Sequence, residues 1–248
     1  MLIELILLGL GTGLLSGFFG VGGGTILVPL LLMLGYDMKS AVGIAVVQMV
    51  FSSIYGSYLN FKKGTLDVKM VLTIGVGGFL GALSSGYIVA NVDAQVLELV
   101  FFGFVLFALT RLFMKTKESA EPKKANLLVL FVLGLVVGTF AISIGVGGSI
   151  LIVPILVGFM NVPLKNAISA GLFFVVFSSV SGLISIGLQG HIDYESGIMI
   201  GFASLFGVSF GIFLKHKVTD VLQKRLLLFF YAAITLYLLL RMVEHYGQ

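Results

Sequence analysis

The stretch "GVGGGTILVP", residues 20–29, places four glycines and a proline inside an otherwise apolar run. Glycine destabilises a helix interior by about 1 kcal/mol and proline by about 3 kcal/mol relative to alanine. A second stretch, "GVGGSILIVP", occupies residues 145–154. The two stretches match at an offset of 125, with Ser149 in the second where the first has Gly24. We therefore predict that a helix is interrupted at both places for a shared purpose.

The composition is typical of an integral membrane protein. Of the 248 residues, 58% are hydrophobic and 10% are charged, and the mean hydropathy is +1.15. Soluble domains average about 45–50% apolar and about 25% charged residues. Residues 96–110, "VLELVFFGFVLFALT", are apolar on every face, whereas the strands of a membrane barrel alternate apolar and polar residues. We predict an all-α integral protein of the inner (plasma) membrane, in contact with the lipid bilayer.

Several function classes are excluded by what the composition lacks. There are no cysteines, which excludes disulfides and thiolate chemistry. His191, His216 and His245 stand in separate loops or at the tail, without the spacing of a metal site. Apart from Glu98, no ionisable residue is expected inside a span, so no acid–base pair or activated nucleophile can be assembled. We expect no enzyme, metal or cofactor, and the net charge of +4 needs no nucleic-acid partner because basic residues at helix ends orient membrane proteins.

The apolar residues fall into blocks separated by short polar segments. These blocks lie at about 2–34, 40–61, 70–90, 96–114, 126–160, 166–188, 195–214 and 222–242. A crossing of the ~30 Å hydrocarbon core needs roughly 17–25 residues, so the first and fifth blocks are too long for one span. The polar run "KTKESAEPKKAN" divides the blocks into four and four. We predict a first repeat at 1–114 (broken segment 2–34 plus three spans), a linker at 115–126, and a second repeat at 127–248 (broken segment 127–160 plus three spans).

The halves also correspond beyond the glycine-rich stretches, at an offset of 126. Matching pairs include Lys39/Lys165, Phe51/Phe177, Ser52/Ser178, Gly56/Gly182, Asp67/Asp193 and Gly81/Gly207. If each broken segment enters and leaves on one side, thirteen of the fifteen Lys and Arg residues share a side, in keeping with the positive-inside rule. Three full crossings per half then make the halves inverted repeats, with the linker cytoplasmic and both termini extracytoplasmic. Two short crossings in place of each hairpin keep the same parity, and the charge count does not separate the two arrangements.

The broken segments supply the candidate binding site. Irregular backbone in a bilayer is tolerated where it is buried in protein or lines a wet cavity. A helix that restarts at Thr25 or Ser149 presents free N–H groups and the positive end of its dipole, which attract anions. The glycines at 77–82 and 207–211 are instead interpreted as helix-packing residues. The predicted substrate-binding residues are Gly20, Gly22, Gly23, Gly24, Thr25, Gln48, Ser52, Ser53, Gly145, Gly147, Gly148, Ser149, Ser178 and Ser179.

The duplicated "GVGGG…VP" and "GVGG…VP" segments, each followed by a lysine–alanine turn and a serine-containing helix, resemble the TauE/SafE family of membrane anion transporters. The late "GHID" element, Gly190 to Asp193, and the two-half layout also fit. The resemblance covers nearly the whole chain. It implies transport of sulfite, organosulfonates or related small sulfur-containing anions, most familiarly by export. Ser149 in place of glycine makes the two halves of the implied site chemically unequal.

Three alternatives remain open at this point. The same glycine-rich segments could form the filter of an anion channel, which would not saturate as a transporter does. A transporter could instead carry a small carboxylate or a cation, since half-helix C-termini coordinate Na⁺ through their carbonyls. In a non-transporting scaffold the glycines would only pack helices, and no ligand would bind. A homodimer is compatible with a membrane protein of 26.5 kDa.

Overall fold

A computed structural model describes residues 2–64, 68–114, 126–190 and 192–246. Every regular element in these ranges is an α-helix, which confirms the predicted all-α class. In chain order the helices are α1 (Leu2–Phe19), α2 (Gly24–Met33), α3 (Met38–Lys62), α4 (Val68–Ala82), α5 (Ser85–Asn91), α6 (Ala94–Phe113), α7 (Leu127–Ser143), α8 (Ser149–Met160), α9 (Leu164–Gly187), α10 (Tyr194–Lys217) and α11 (Asp220–Tyr246). The predicted linker, apart from Asn126, lies outside the described residues, as does His191.

Both long apolar blocks are broken into a longer and a shorter helix. The first consists of α1, 18 residues long, and α2, 10 residues long, and the second of α7, 17 residues long, and α8, 12 residues long. Within the described ranges, seven helical segments are long and apolar enough to cross a membrane. Six of these are the predicted full spans, and the seventh is α1.

The predicted single span at 70–90 contains an interruption that was not predicted. The helix stops at Ala82 and restarts at Ser85, with a turn in which the Ser84 N–H donates to the Gly81 carbonyl. Two serines of α9 donate hydrogen bonds to backbone carbonyls near this break. Ser181 Oγ donates to the Phe79 carbonyl at 2.6 Å, and Ser185 Oγ donates to the Leu83 carbonyl at 2.6 Å. The break is stable because these hydrogen bonds satisfy backbone groups that lipid could not.

Glycines bring pairs of helices into backbone contact. A Cβ atom on Gly13 of α1 would overlap the backbone of Ser204 in α10, and one on Gly77 of α4 would overlap the Phe131 carbonyl of α7. Small residues allow the helix backbones to approach closely. In lipid there is no hydrophobic driving force between helices, so the van der Waals contacts of this close packing hold them together. The packing role predicted for the glycines at 77–82 and 207–211 is thereby confirmed.

The directions of the helices follow from these contacts. Gly9 of α1 packs on Ile200 of α10 and Gly17 packs on Val208, so α1 and α10 run parallel. Helix α3 is also parallel to α10, because Val47 packs on Gly197 and Phe51 packs on Gly201, so the residue numbers rise together along both helices. Since α1 and α3 run the same way, the intervening α2 returns the chain toward the side from which α1 started.

The second broken segment behaves in the same manner. The pairs Ile74/Gly134 and Gly78/Gly138 make α7 parallel to α4, and the serine hydrogen bonds described above make α9 parallel to α4. Helix α8 therefore also returns the chain to the side where its segment began. Helices α3 and α9 run antiparallel, since the sequence numbers of the pairs Gly56/Leu172 and Asn60/Ser169 change in opposite directions.

Arginines of distant helices hold the ends of the two short helices. Arg241 of α11 donates through Nη1 to the Leu32 carbonyl of α2 at 3.1 Å, and its Nη2 lies 3.4 Å from Glu98 Oε1 of α6. In the other half, Arg111 of α6 donates to the Gly158 carbonyl of α8. The last carbonyls of a helix lack partners within the helix, and a cation there is favoured by the dipole.

Replacing Arg241 with alanine is expected to lower the free energy of unfolding by about 2 kcal/mol. Truncating one partner of a fully buried pair costs about 3–5 kcal/mol, and here both side chains keep some exposure. Arg225→Ala, at an exposed position of the same helix, is the matched control and should change stability little. Equal stability of the two variants in detergent unfolding would refute this role for Arg241.

Candidate functional site

The first break comprises Gly20–Gly23, between α1 and α2. Gly20 and Gly22 have φ values of +66° and +71°, in the left-handed region that favours glycine. All of these residues are buried. Thr25, in the first turn of α2, is turned back to this break, since its Oγ1 donates to the Val21 carbonyl at 2.8 Å.

The second break comprises residues 144–148, between α7 and α8. Gly145, Gly147 and Gly148 have φ values of +72°, +75° and +89°. Helix α8 then restarts at Ser149, as predicted, whereas α2 restarts at Gly24, one residue before the predicted Thr25. Differences of one residue at a helix end have no structural weight.

The two breaks lie directly against each other in the centre of the protein. A Cβ atom on Gly24 would overlap the carbonyl oxygen of Gly145. One on Gly22 would lie 3.4 Å from both the Val146 carbonyl oxygen and Ser149 Oγ. The glycines are therefore needed for close approach of two backbones, and the structure brings the two predicted halves of the site together.

Helices α3 and α9 form the walls around the breaks. The Gln48 carboxamide of α3 lies against Gly23, and the Phe174 ring of α9 lies against Gly148. Ser178 Oγ of α9 donates to the Gly147 carbonyl at 2.8 Å. Gln48 and Phe174 are equivalent at the offset of 126, so the polar side chain faces only the first break.

Two fully buried polar groups at this position have no hydrogen-bond partner among the described residues. They are the Gln48 carboxamide, at both Oε1 and Nε2, and the Ser149 hydroxyl. An unsatisfied buried polar group costs about 1–3 kcal/mol. Because Gly22 is close to Ser149 and Gly23 to Gln48, both groups border the same stretch of backbone. A ligand with hydrogen-bonding oxygens would satisfy them.

Two helix N-termini meet at the same place. The first hydrogen bonds of α2 run from Ile26 and Leu27 to the Gly23 carbonyl, so the N–H groups of Gly24 and Thr25 precede the helical ladder. In α8 the corresponding bonds run from Leu151 and Ile152 to the Gly148 carbonyl. N–H groups at the start of a helix lack intrahelical acceptors and carry the positive end of the dipole. With the buried Gln48 and Ser149 beside them, they form a cluster of donors, here called the cradle, whose chemistry suits an anion.

The remaining predicted serines bond to their own helices. Ser52 Oγ donates to the Met49 carbonyl at 3.3 Å and Ser179 Oγ to the Val176 carbonyl at 3.4 Å. Ser53 is buried, and its hydroxyl has no partner among the described residues. Among the described residues, no hydrogen bond joins these three side chains to either break, so the geometry supports their inclusion less than that of Gln48, Ser149 and Ser178.

One buried ionisable residue contradicts the expectation that the spans hold none apart from Glu98. Lys215, in the last turn of α10, is fully buried. It was missed because its neighbours "LKHK" look like a helix end at the membrane surface. The available signal was its spacing, since Ser204, Val208, Gly211 and Lys215 follow one buried face of the helix.

Apolar grooves on the outside of the bundle do not contain the cradle. One is lined by α4 and α9, among others by Val76, Leu80 and Phe177, and another by α1 and α10. Their apolar lining suits lipid rather than an anion. Within the described ranges, no group of three or more His, Cys, Asp or Glu side chains is arranged to hold a metal ion.

The chain is similar in sequence to a known family of membrane proteins. The family model described as "Sulfite exporter TauE/SafE" matches residues 5–238. The "Probable membrane transporter protein YdhB" of Bacillus subtilis is 27% identical over 232 residues, covering 90% of this chain and 92% of its own length. A "Probable membrane transporter protein" of Methanocaldococcus jannaschii is 25% identical over 234 residues, covering 87% of this chain and 86% of its own. No solved structure matches the chain significantly.

Proposed function

Since the chain belongs to the sulfite exporter TauE/SafE family and is a membrane transporter, we propose that it carries a small sulfur-containing oxoanion out of the cell. Sulfite and short organosulfonates are the candidate substrates. The observation that carries this proposal is the cradle, in which the N-termini of α2 and α8 meet beside the unpartnered Gln48 carboxamide and Ser149 hydroxyl.

The donor set of the cradle suits an oxoanion. Sulfite and sulfonates present three oxygen acceptors, and the cradle offers backbone N–H groups, the Ser149 hydroxyl and the Gln48 Nε2 amide. All of these donors are uncharged, and dipoles rather than a full positive charge would balance the substrate. Transport requires binding that is strong enough to recruit an anion and weak enough to release it.

The helix directions support an inverted-repeat transporter. The equivalent helices α1 and α7 run in opposite directions, as do α3 and α9, because each belongs to one of two antiparallel sets. Transporters with inverted repeats bind substrate near the bilayer midplane between broken helices and alternate between two orientations. We propose this architecture here, with the linker at 115–126 in the cytoplasm and both termini outside. The contact between Gly24 and Gly145 closes the centre and favours alternating access over an open channel.

The membrane potential can drive export without a coupled ion. An inside-negative potential favours the exit of an anion by about 2.3 kcal/mol per charge per 100 mV. A divalent anion would gain twice as much. Uniport is therefore sufficient for net export whenever the outward gradient and the potential act together.

A binding titration of the purified protein with sulfite, ethanesulfonate, sulfate and acetate tests the proposal. We expect saturable binding of sulfite or ethanesulfonate, and at least tenfold weaker binding by Gly147→Leu, whose side chain would occupy the cradle beside Met49 and Val175. Gly103→Ala, which adds a methyl group where no atom lies within 4 Å, is the control and should bind normally. If wild-type protein binds none of the four anions, the oxoanion proposal is wrong and the scaffold or cation alternatives regain support.

A further inference from the structure

We propose that Lys215, with Asn60 and Ser169, forms a second oxoanion-binding position, on the side of the cradle that the charge distribution assigns to the cytoplasm. This position would receive the substrate before it reaches the glycine breaks. The inference rests on the proposed function, because it takes the same class of ligand.

Lys215 is held inside the bundle by two side chains from other helices. Its Nζ donates to Asn60 Oδ1 of α3 at 2.6 Å and to Ser169 Oγ of α9 at 2.9 Å. Lys215, Asn60 and Ser169 are all fully buried. Three helices therefore converge on one buried ammonium group.

The charge of Lys215 is not neutralised by these two partners. Both acceptors are neutral oxygens, and the carboxylates of Asp220 and Glu98, the two that form salt bridges between described side chains, pair with Lys165 and Arg241 rather than with Lys215. Burying a charge without a counter-charge is costly, and ionisable residues inside membrane spans commonly mark substrate pathways. A bound oxoanion would supply the counter-charge, and the Asn60 and Ser169 side chains are able to donate to its oxygens after rearrangement.

The Lys215 cluster borders the first break. The backbone of Ile168, the residue before Ser169, lies against Gly20. Gly171 follows Ser169 by two residues, and a Cβ atom on it would lie 3.2 Å from the Gly20 carbonyl oxygen and 3.1 Å from Ser149 Cβ. Since a helix rises 1.5 Å per residue, Ser169 and Gly171 are separated by only about 3 Å along the axis. The Lys215 cluster and the cradle are therefore neighbours along α9, which is the order in which we propose that the anion passes them.

The helix ends around Lys215 are basic. Lys62 ends α3 and Lys63 follows it, Lys165 lies in the first turn of α9, and Lys217 ends α10. The hydrogen bonds of Lys215 to α3 and α9 place these three helix ends together. Lys62 and Lys217 lie over the rings of Tyr58 and Phe213, and Lys165 pairs with Asp220 at 3.1 Å. A concentration of like charge attracts counter-ions and raises their encounter rate.

The opposite side of the cradle has no such cluster at the equivalent positions. The residues that correspond to Lys215, Asn60 and Ser169 at the offset of 126 are Val89, Ile186 and Gly43. Val89 and Ile186 are fully buried and apolar. The second binding position therefore belongs to one side only, which predicts an effect that depends on the side from which substrate enters.

Uptake of radiolabelled sulfite into membrane vesicles of both orientations tests this inference. In inside-out vesicles, where substrate enters from the cytoplasmic face, Lys215→Met should raise KM at least tenfold. In right-side-out vesicles the same variant should change KM less than twofold. Lys69→Met, at an exposed lysine in α4 that is not among the basic residues around Lys215, is the control and should change KM less than twofold in both.

Asn60→Asp provides an independent variant if Lys215→Met fails to fold. This substitution keeps the size of the side chain and places a carboxylate beside the ammonium group. It should also raise KM at least tenfold in inside-out vesicles. If Lys215 were purely structural, the carboxylate would leave KM unchanged and would leave stability unchanged or raise it by pairing with the lysine. Lys215→Arg should retain most of the affinity. Equal KM changes in both orientations, or no change in either, overturn the proposed role of Lys215 but leave the proposed function standing. Absence of both sulfite and ethanesulfonate uptake by wild-type protein in both orientations overturns the proposed function and this inference with it.

Discussion

Gly24→Ala is expected to reduce transport at least a hundredfold and to lower the melting temperature. The added Cβ would overlap the carbonyl oxygen of Gly145 and lie 2.9 Å from Met49 Sδ. Because the overlap is with backbone, no side-chain rotation relieves it, and the two breaks must separate. Overpacking typically costs about 1–3 kcal/mol, and here the displaced groups are those of the cradle itself.

Gly11→Ala is the matched control, since Gly11 lies in α1 and an added Cβ meets no atom within 4 Å. We expect its transport rate to stay within twofold of wild type. Melting curves in detergent measure the packing effect whatever the substrate is, and sulfite efflux from proteoliposomes measures the functional effect. Wild-type stability and transport in Gly24→Ala would mean that the two breaks do not need to touch.

Gln48→Leu is expected to separate stability from function. The Gln48 carboxamide is fully buried and without a partner among the described residues, so its replacement removes a desolvation cost of about 1–3 kcal/mol. Stability should be unchanged or higher. Sulfite affinity should fall at least tenfold, because the substrate loses the amide donor, and tenfold corresponds to about 1.4 kcal/mol.

Gln223→Leu is the matched control for this prediction. Gln223 is also a fully buried glutamine, but its Nε2 donates to the Phe18 carbonyl at 2.7 Å. Its replacement should therefore lower stability and leave sulfite affinity within twofold of wild type. If Gln48→Leu destabilises the protein as much as Gln223→Leu and binds sulfite normally, Gln48 is a packing residue and the cradle lacks its side-chain amide.

Together, these variants distinguish the parts of the proposed transport path. In the proposed path, Lys215 binds the anion before the cradle and from one side, Gln48 binds it within the cradle, and the Gly24 contact closes the cradle. The short helices α2 and α8 present their N-termini to the cradle, while Arg241 and Arg111 hold their C-terminal ends. Alternating access would move the broken segments relative to α3 and α9, so we expect substrate binding and the packing of the breaks to be coupled.

Much of the candidate site was predictable because its signals are local. Glycine and proline weaken a helix through their own backbone, and they cluster here as glycines within 20–24 and 145–148 and prolines at 29 and 154. The breaks can therefore be located without knowledge of which helices pack against them. The break between α4 and α5 was not predicted, because "ALSSG" carries only a weak helix-breaking signal. Its stability depends on hydroxyls of Ser181 and Ser185, which lie about a hundred residues away in the chain.

The sequence by itself determined the all-helical membrane class, the two broken segments and the membership of a transporter family, because composition, hydrophobic length and glycine content act residue by residue. Only the tertiary structure decided that the breaks touch, that Gln48 faces one of them, and that Lys215 is buried rather than exposed at the membrane surface. Those features depend on which helices pack together. Burial, unsatisfied hydrogen bonds and close backbone contacts are properties of pairs of distant residues, and no single stretch of sequence encodes them.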